Sequence, residues 1–292
     1  MIKPDSISGL RSLLKEYNIK PVKALGQNFL TDRNVLRNIV EKAALSDQEY
    51  LVEIGPGLGA LTQQLTSRCK GLLAIDADAR LEEPLKAVIG GQPGVRLLIK
   101  DVLSVDLEAE LAAAFSLPDP PSFSVCANIP YHITSPIIFK LLEQCPHLRT
   151  ATLMMQKEVG ERILAQPGTK AYGLLTVMTR WYAEAVLLMK VSKNCFTPKP
   201  EVDSVVLQFR PRPGKYPCQN EDLFKHLVRT SFQLRRKTLS NICVKVFAGN
   251  KNDLETRLIN LGVDPQRRPE TLTVSEFILI ADHLAPYSGE RE

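Results

Sequence analysis

The chain has 292 residues and a formal net charge of +5, from 37 Lys and Arg against 32 Asp and Glu. With 44% hydrophobic and 24% charged residues it is typical of a globular protein, which excludes a disordered, collagen-like or coiled-coil chain. The sequence has no apolar run long enough to span a bilayer, no recognisable signal sequence and no C-x-x-C pair among its six cysteines. We therefore expect a cytoplasmic protein that has no metal site and does not bind membranes.

Short apolar runs alternate with helical patterns through residue 210. We predict strands at Tyr50–Gly55, Gly71–Asp76, Val95–Asp101, Phe123–Asn128, Thr150–Gln156, Ala185–Val191 and Ser204–Arg210, with helices at Asp32–Leu45, Leu58–Cys69, Asp78–Ile89, Thr134–Cys145 and Lys157–Gln166. Strands such as Leu72–Ile75 are apolar on both faces, as in a parallel sheet that helices cover on both sides. Residues 1–210 are thus predicted to form an α/β domain with a mostly parallel, doubly wound sheet.

The last two predicted strands are joined by Ser192–Asp203, a turn-rich link too short for a helical crossover. Since parallel neighbours need such a crossover, we expect these two strands to pair antiparallel.

Beyond residue 210 the pattern changes. Pro211–Pro217 is rich in proline and turn residues and is predicted to be a linker. Helical patterns follow at Glu221–Phe247, Asp253–Leu261 and Thr273–Leu284, the last with a capping-box start at Thr273–Glu276. Residues 211–292 are therefore predicted to form a small all-helical domain.

A glycine-rich segment, Glu53–Ala60, follows a predicted strand and opens a predicted helix. Gly55 and the glycines after it allow a sharp turn and a close approach of a ligand to the backbone. Asp76 and Asp101 end the next two strands, where carboxylates suit a ribose diol and an adenine amino group. Turn glycines with two capping acids would also explain these residues, but their place at three successive strand ends favours a nucleoside cofactor. The same loop satisfies the G-x-G-x-x-G/A dinucleotide pattern, so a nicotinamide cofactor stays open at this point.

The fourth strand ends in Asn128–Tyr131. An exocyclic amine on adenine is a poor nucleophile, and two acceptors beside it would favour the tetrahedral geometry needed for methylation. The Asn128 side-chain carbonyl and the Ile129 backbone carbonyl are candidates for these acceptors. Pro130 would stiffen the turn, and Tyr131 would offer a face on which a flipped base can stack. Asn and Pro also commonly make simple strand-ending turns, but the position after a glycine-loop domain's fourth strand favours the chemical interpretation.

Basic residues without any acid occupy the stretch between Asp222 and Asp253. On a helix, Lys225, Arg229 and Arg236 would fall close to one line, with Arg235 and Lys237 flanking it on either side. We expect four of these to bind RNA, namely Arg229, Arg235, Arg236 and Lys237. A solvated helix face usually mixes both signs of charge, so the pattern favours binding to phosphates. No aromatic ladder accompanies the charges, which favours a folded RNA recognised through its shape and backbone.

From about Lys23 to about Leu284 the sequence resembles the KsgA-type rRNA adenine dimethyltransferases, which make two adjacent dimethyladenosines near the 3′ end of small-subunit (16S) rRNA. The resemblance is carried by the motifs Gly26–Leu30, Glu53–Gly59, Asn128–Tyr131, Gln156–Val159, Phe196–Pro200 with Val202–Ser204, and Arg235–Lys237. It implies a Rossmann-like fold that binds S-adenosylmethionine through Asn28, Leu30, Gly55, Asp76, Asp101 and Asn128. It also implies that Tyr131 and Phe196 flank the flipped adenine.

The resemblance further implies a monomer that acts on rRNA within the small ribosomal subunit or its precursor. Family members commonly carry Glu where this chain has Asp76. The carboxylate then reaches one methylene less far, so either the ribose contact is looser or the glycine loop lies closer.

Three alternatives remain at the level of sequence. An Erm-type enzyme acting on large-subunit rRNA shares the catalytic motifs, but the C-terminal region with Arg235–Lys237 matches the first family better. A non-catalytic nucleic-acid-binding factor on the same fold would have no need of Asn128–Tyr131. A nicotinamide oxidoreductase would require an acid–base group beside a hydride acceptor.

Overall fold

The computed structural model describes residues 3–22, 26–89 and 91–285. The chain divides into two compact units, one running to Gly160 and including Ala185–Pro211, the other made of Glu161–Glu184 and the residues from Arg212 onward. We predicted a first domain running through residue 210, so the assignment of Glu161–Glu184 to the second unit differs from the prediction. Lys23, where the family resemblance starts, lies outside the described residues.

The segment Glu161–Glu184 joins the second unit because its aromatic side chains are buried there. The Tyr172 hydroxyl donates a buried 2.7 Å hydrogen bond to the carbonyl of Leu272. The rings of Trp181 and Phe224 lie 4.8 Å apart between centroids. The two pairs of residues are 100 and 43 positions apart in the sequence. Local sequence patterns therefore could not reveal these contacts.

The first unit is built on a mostly parallel sheet. Its strands are β2 (Tyr50–Ile54), β3 (Gly71–Asp76), β4 (Val95–Ile99), β5 (Phe123–Asn128), β6 (Leu148–Gln156), β7 (Ala183–Val191) and β9 (Ser204–Pro211). They lie in the order β4-β3-β2-β5-β6-β9-β7. Neighbouring strands from β4 through β3, β2 and β5 to β6 pair parallel, and β9 pairs antiparallel with β6. The prediction of a Rossmann-like α/β fold with an antiparallel last strand is confirmed.

A separate two-stranded sheet joins β1 (Phe29–Leu30) to β8 (Phe196–Thr197) in antiparallel register. The helices are α1 (Ile7–Glu16), α2 (Arg33–Ala43), α3 (Ala60–Leu65), α4 (Glu82–Ile89), α5 (Leu107–Ala114), α6 (Thr134–Gln144), α7 (Lys157–Leu164), α8 (Leu174–Tyr182), α9 (Glu221–Gln233), α10 (Leu239–Val246), α11 (Lys251–Asn260) and α12 (Val274–Leu284). Of these, α1, α5 and α8 were not among the helices predicted above.

Side-chain caps set the starts of several helices. Asp32 accepts hydrogen bonds from the backbone N–H groups of Asn34 and Val35 at 2.9 and 3.1 Å and so begins α2. At α12 the Thr273 hydroxyl accepts from the Glu276 N–H at 3.2 Å, while the Glu276 carboxylate accepts from the Thr273 N–H at 2.7 Å. The predicted capping box is therefore confirmed.

The predicted helix Glu221–Phe247 is two helices, so this prediction was wrong. α9 ends at Gln233 and α10 begins at Leu239. The chain turns because the first N–H groups of α10 bond to another loop: Leu239 donates to the Arg267 carbonyl at 2.8 Å and Ser240 to the Pro265 carbonyl at 3.0 Å. Residues 235–237 consequently lie on a turn between two helices, not on a helix face.

We expect Tyr172→Phe to lower the free energy of unfolding by about 1–2 kcal/mol, because it leaves the buried Leu272 carbonyl without its donor. Urea unfolding followed by circular dichroism measures the change. Tyr216→Phe is the matched control, since the Tyr216 hydroxyl has no hydrogen-bond partner among the described residues. Equal stability of Tyr172→Phe and the unmodified protein would contradict the prediction.

Candidate active site

A cavity of about 260 Å³ lies at the carboxyl ends of β2, β3 and β5. Ligands of open α/β sheets commonly bind at this edge, where the strands end and the connecting loops begin. Of the residues predicted from sequence, those that border the cavity are Asn28, Leu30, Gly55, Asp76, Asp101, Asn128, Ile129, Pro130 and Tyr131. The fold thus brings together segments that are up to about a hundred residues apart in the chain.

The glycine-rich loop after β2 has a backbone that requires glycine. Gly55 and Gly57 have φ angles of 68° and 59°, in the left-handed region that side chains disfavour. The Gly55 N–H donates to the Ile75 carbonyl at 2.8 Å, which ties the loop to the end of β3. A Cβ atom on Gly57 would come within 3.1 Å of the Phe29 ring. The backbone of Gly55 and Gly57, which have no side chains, therefore forms part of the cavity wall.

Asp76, at the end of β3, is bound to the same loop. Its Oδ2 accepts from the Gly57 N–H at 3.3 Å and its Oδ1 accepts from the Asp78 N–H at 2.9 Å. Burial raises the pKa of Asp76 to about 6, although these backbone hydrogen bonds oppose the shift. Each carboxylate oxygen can accept a second hydrogen bond, so the residue can still receive two ribose hydroxyls. Of the two consequences expected for Asp in place of Glu, the hydrogen bond from Gly57 favours a glycine-rich loop that lies closer to the carboxylate.

Asp101, after β4, is exposed and caps the short helical turn that follows it. Its Oδ1 accepts from the Leu103 N–H at 2.9 Å. Asp101 also borders the cavity, and its Oδ2 has no hydrogen bond to the described residues. A contact between Asp101 and an adenine amino group stays a prediction.

Glu53 is a site residue that the sequence analysis did not single out. Its side chain is 1% exposed and borders the cavity, and its Oε2 has no hydrogen-bond partner among the described residues. Burial raises the pKa of Glu53 to about 8. A buried polar atom without a partner is costly and is expected to be satisfied by a ligand. The signal that could have found it is an acid two residues before Gly55, near the end of a buried strand.

The Asn128 carboxamide has a defined orientation. Its Nδ2 donates to the backbone carbonyl of Asn28 at 3.3 Å. Because a carbonyl oxygen can only accept, the amide nitrogen must face Asn28, which leaves Oδ1 as the acceptor that Asn128 offers a ligand. The next residue, Ile129, is buried and its N–H donates to the Met154 carbonyl at 3.2 Å, which fixes the Asn128–Ile129 peptide group.

Tyr131 is half-buried at the cavity wall. Its hydroxyl shares a 2.8 Å hydrogen bond with the Ser204 hydroxyl of β9, and Ser204 is fully buried. Burial raises the pKa of Tyr131 above its ordinary value. Anchored at this end and preceded by Pro130, the ring has little freedom to move.

Phe196 does not border the cavity, contrary to the expectation that it flanks a bound base. The side chain is 3% exposed and packs in a hydrophobic cluster with Leu36, Met154 and Val206. The reason is that β8 pairs with β1, which sets Phe196 opposite Leu30 and turns the ring into the core. The structure therefore gives no support for stacking of Phe196 on a base.

The basic residues predicted to bind RNA belong to the second unit, and none borders the cavity. Arg235 has a structural role, since its guanidinium donates to the Lys170 carbonyl at 2.8 Å and lies 3.9 Å from the Glu270 carboxylate. Arg229, Arg236 and Lys237 are exposed, and no described carboxylate forms an ion pair with them. These three side chains are available to phosphates.

Comparison with known proteins gives a family match over most of the chain. A family model described as "Ribosomal RNA adenine dimethylase" matches residues 19–285. A Geobacillus kaustophilus protein named "Ribosomal RNA small subunit methyltransferase A" is 42% identical over 286 residues, covering 96% of each chain. A Bacillus cytotoxicus protein of the same name is 40% identical over 281 residues, covering 95% of this chain and 96% of its own.

Two solved structures are also similar. A dimethyladenosine transferase from Plasmodium falciparum superposes with a TM-score of 0.71 at 27% identity, over 85% of this chain and 94% of its own. The 23S rRNA methyltransferase ErmE gives a TM-score of 0.65 at 27% identity, over 88% of this chain and all of its own. Among the described residues, no helix combines the length and apolar character needed to cross a membrane.

We expect Glu53→Gln to gain stability relative to the unmodified protein as the pH rises from about 4.5 to about 8. The folded protein holds a proton on Glu53 up to a pKa of about 8, whereas the unfolded chain releases it near the ordinary value of 4.5. Stability contributed by the protonated form is therefore lost across this window, and glutamine has no proton to lose. The gain is on the order of a few kcal/mol.

Thermal unfolding of both proteins without cofactor, at pH 5 and pH 8, measures this difference. Comparing variant with unmodified protein at each pH removes the contributions of all other titrating groups. Parallel pH profiles of the two melting temperatures would show that Glu53 is not protonated in the fold.

Proposed function

Because the chain belongs to the ribosomal RNA adenine dimethylase family, we propose that it dimethylates two adjacent adenosines near the 3′ end of small-subunit (16S) rRNA. The enzyme is a methyltransferase whose methyl donor is S-adenosylmethionine. The reaction takes place on the exocyclic amino groups and is a step in the biogenesis of the small ribosomal subunit.

The residues around the cavity fit the donor. Asp76 would receive the ribose hydroxyls and Asp101 the adenine amino group, while the Gly55 loop leaves room for the ligand against its backbone. Glu53, whose Oε2 lacks a partner among the described residues, would be satisfied by the amino group at the methionine end. Asn28 and Leu30 would cover that end. When bound, S-adenosylmethionine supplies a methyl group carried on a positively charged sulfonium.

The protein's part in the chemistry is to hold and polarise the target amine. Asn128 Oδ1 and the Ile129 carbonyl would accept hydrogen bonds from its two N–H groups. These hydrogen bonds would favour a tetrahedral nitrogen, and they would become stronger as positive charge develops on it. Tyr131 would stack on the flipped base. Phe196 is not assigned this role, because its ring is buried away from the cavity. Alignment of the two reacting groups supplies much of the rate.

The observation that carries the proposal is the hydrogen bond from Asn128 Nδ2 to the Asn28 carbonyl. It leaves the amide oxygen as the group that Asn128 presents, as an amine substrate requires. A nicotinamide oxidoreductase would instead require an acid–base group beside a hydride acceptor.

The exposed Arg229, Arg236 and Lys237 support binding of the second unit to rRNA phosphates, while Arg235 holds the turn that carries two of them. The substrate is rRNA in the small subunit or its precursor. We further propose that the enzyme acts as a monomer and in the cytoplasm.

An Erm-type activity on large-subunit rRNA is the second candidate, favoured by the structural similarity to ErmE. The relatives named for the small subunit match at 40–42% identity over nearly the whole chain, against 27% for ErmE, and this favours the first.

We expect the protein to transfer label from radioactive S-adenosylmethionine to small subunits that lack the modification, and to two adjacent adenosines when the product is mapped. Large-subunit rRNA is the comparison substrate. Label found only in large-subunit rRNA would support the Erm-type alternative, and absence of label from both would contradict methyl transfer.

We expect Asn128→Ala to lower the transfer rate at saturating substrates about 100-fold or more, by analogy with loss of one preorganised polar group. Binding of S-adenosylmethionine, measured by calorimetry, should weaken but persist. Asn34→Ala is the matched control, because Asn34 is exposed on α2 and does not border the cavity. An unchanged rate for Asn128→Ala would remove Asn128 from the mechanism.

We expect Arg229→Gln, Arg236→Gln and Lys237→Gln each to weaken binding to the small subunit and to lower the slope of log affinity against log salt by about one. Filter binding over a salt series measures this slope. Lys42→Gln on α2 is the control for a basic residue elsewhere on the surface. Unchanged slopes in all three variants would place the rRNA contact on another surface.

A further inference from the structure

The segment Gly26–Leu30 and the turn after β3 meet at the cavity, and one side-chain pair joins them. Gln27 Nε2 donates to Asp78 Oδ2 at 2.7 Å, across 51 positions of sequence. At its other end, Gln27 Oε1 accepts from the Val22 N–H at 2.8 Å. Both ends of the amide are thus occupied, so Gln27 has one favourable orientation.

Asp78 is a fixed partner for this contact. The side chain is 7% exposed and is held by Arg80, whose Nε and Nη2 donate to its two carboxylate oxygens at 2.8 and 2.5 Å. The Arg80 hydrogen bonds lower the pKa of Asp78, which keeps it charged as an acceptor for Gln27. The Asp78 N–H in turn donates to Asp76, the expected ribose ligand.

The residue after Gln27 supplies the carbonyl that orients Asn128. Asn28 lies between two anchors: Gln27 on one side and, on the other, β1, where the Thr31 N–H beyond the strand donates to the Cys195 carbonyl at 2.8 Å. These contacts on both sides of Asn28 restrain the position of its carbonyl. Loss of the Gln27 anchor would therefore loosen the acceptor on which the Asn128 orientation depends.

We infer that Gln27 and Asp78 form a clamp that positions the Asn128 carboxamide for methyl transfer and links it to the loop that receives the ribose. Gln27 is a positioning residue in this scheme, because it acts on the reacting amine only through Asn28 and Asn128. The inference rests on the proposed function, since the reaction it supports is transfer to an adenine amine.

The test uses Gln27→Met, which has nearly the same shape but lacks both hydrogen bonds of the amide. Gln63→Met is the matched control, because Gln63 makes one comparable side-chain bond, to the Val88 carbonyl at 3.3 Å, and does not border the cavity. Single-turnover transfer at saturating S-adenosylmethionine and small subunit is the readout, and melting temperatures report folding. We expect Gln27→Met to be about 10- to 100-fold slower, and Gln63→Met to keep the unmodified rate.

A second measurement separates positioning from general damage. In an Asn128→Ala background the clamp has no carboxamide to position, so adding Gln27→Met should change the residual rate less than threefold. A full 10- to 100-fold further loss in that background, or an unchanged rate for Gln27→Met alone, would overturn the inference. If the unmodified protein transfers no label, the proposed function fails instead, so the two failures are distinguishable.

Discussion

Parallel pairing of β2 with β3 and with β5 is the constraint on which the rest of the site depends. The register sets Glu53 beside Ala74 and Ile54 beside Ile75, so β2 and β3 end at the same level. β5 pairs with the other side of β2 and carries Asn128 to the same edge. A shift of one residue in either pairing would turn each of these side chains to the opposite face of the sheet. The relative positions of the site residues therefore depend on the hydrogen bonds between the central strands of the sheet.

The buried acids show that this site is not optimised for stability. Burial raises the pKa of both Glu53 and Asp76, and the Asp76 carboxylate raises the pKa of Glu53 further. Asp76 at least binds backbone N–H groups, but Oε2 of Glu53 has no partner among the described residues, and an apolar residue in its place would cost less. Such local conflict is expected where binding of a polar, positively charged ligand compensates for it.

The features predictable from sequence were those encoded over short spans. Apolar runs predicted the strands, and the strand-end residues Asp76 and Asn128 could be recognised because the fold class fixes where strand ends meet. The failures came from contacts between distant segments. Phe196 is buried because β8 meets β1 more than 160 residues away, and α9 ends where it does because α10 bonds to Pro265 and Arg267. Glu53 was not predicted as a site residue, because the lack of a hydrogen-bond partner for its buried Oε2 can be recognised only in the folded structure.

The turn between α9 and α10 is held by neighbouring backbone on both sides, through Arg235 at one end and Leu239 at the other. The chain therefore loses the conformational entropy of this turn when it folds, and not when it meets a nucleic acid. Arg236 and Lys237 extend from a backbone that is already ordered, so in the proposed rRNA contact only their own rotamers would remain to be fixed. Of the three consecutive cations, Arg235 would thus preorganise the other two.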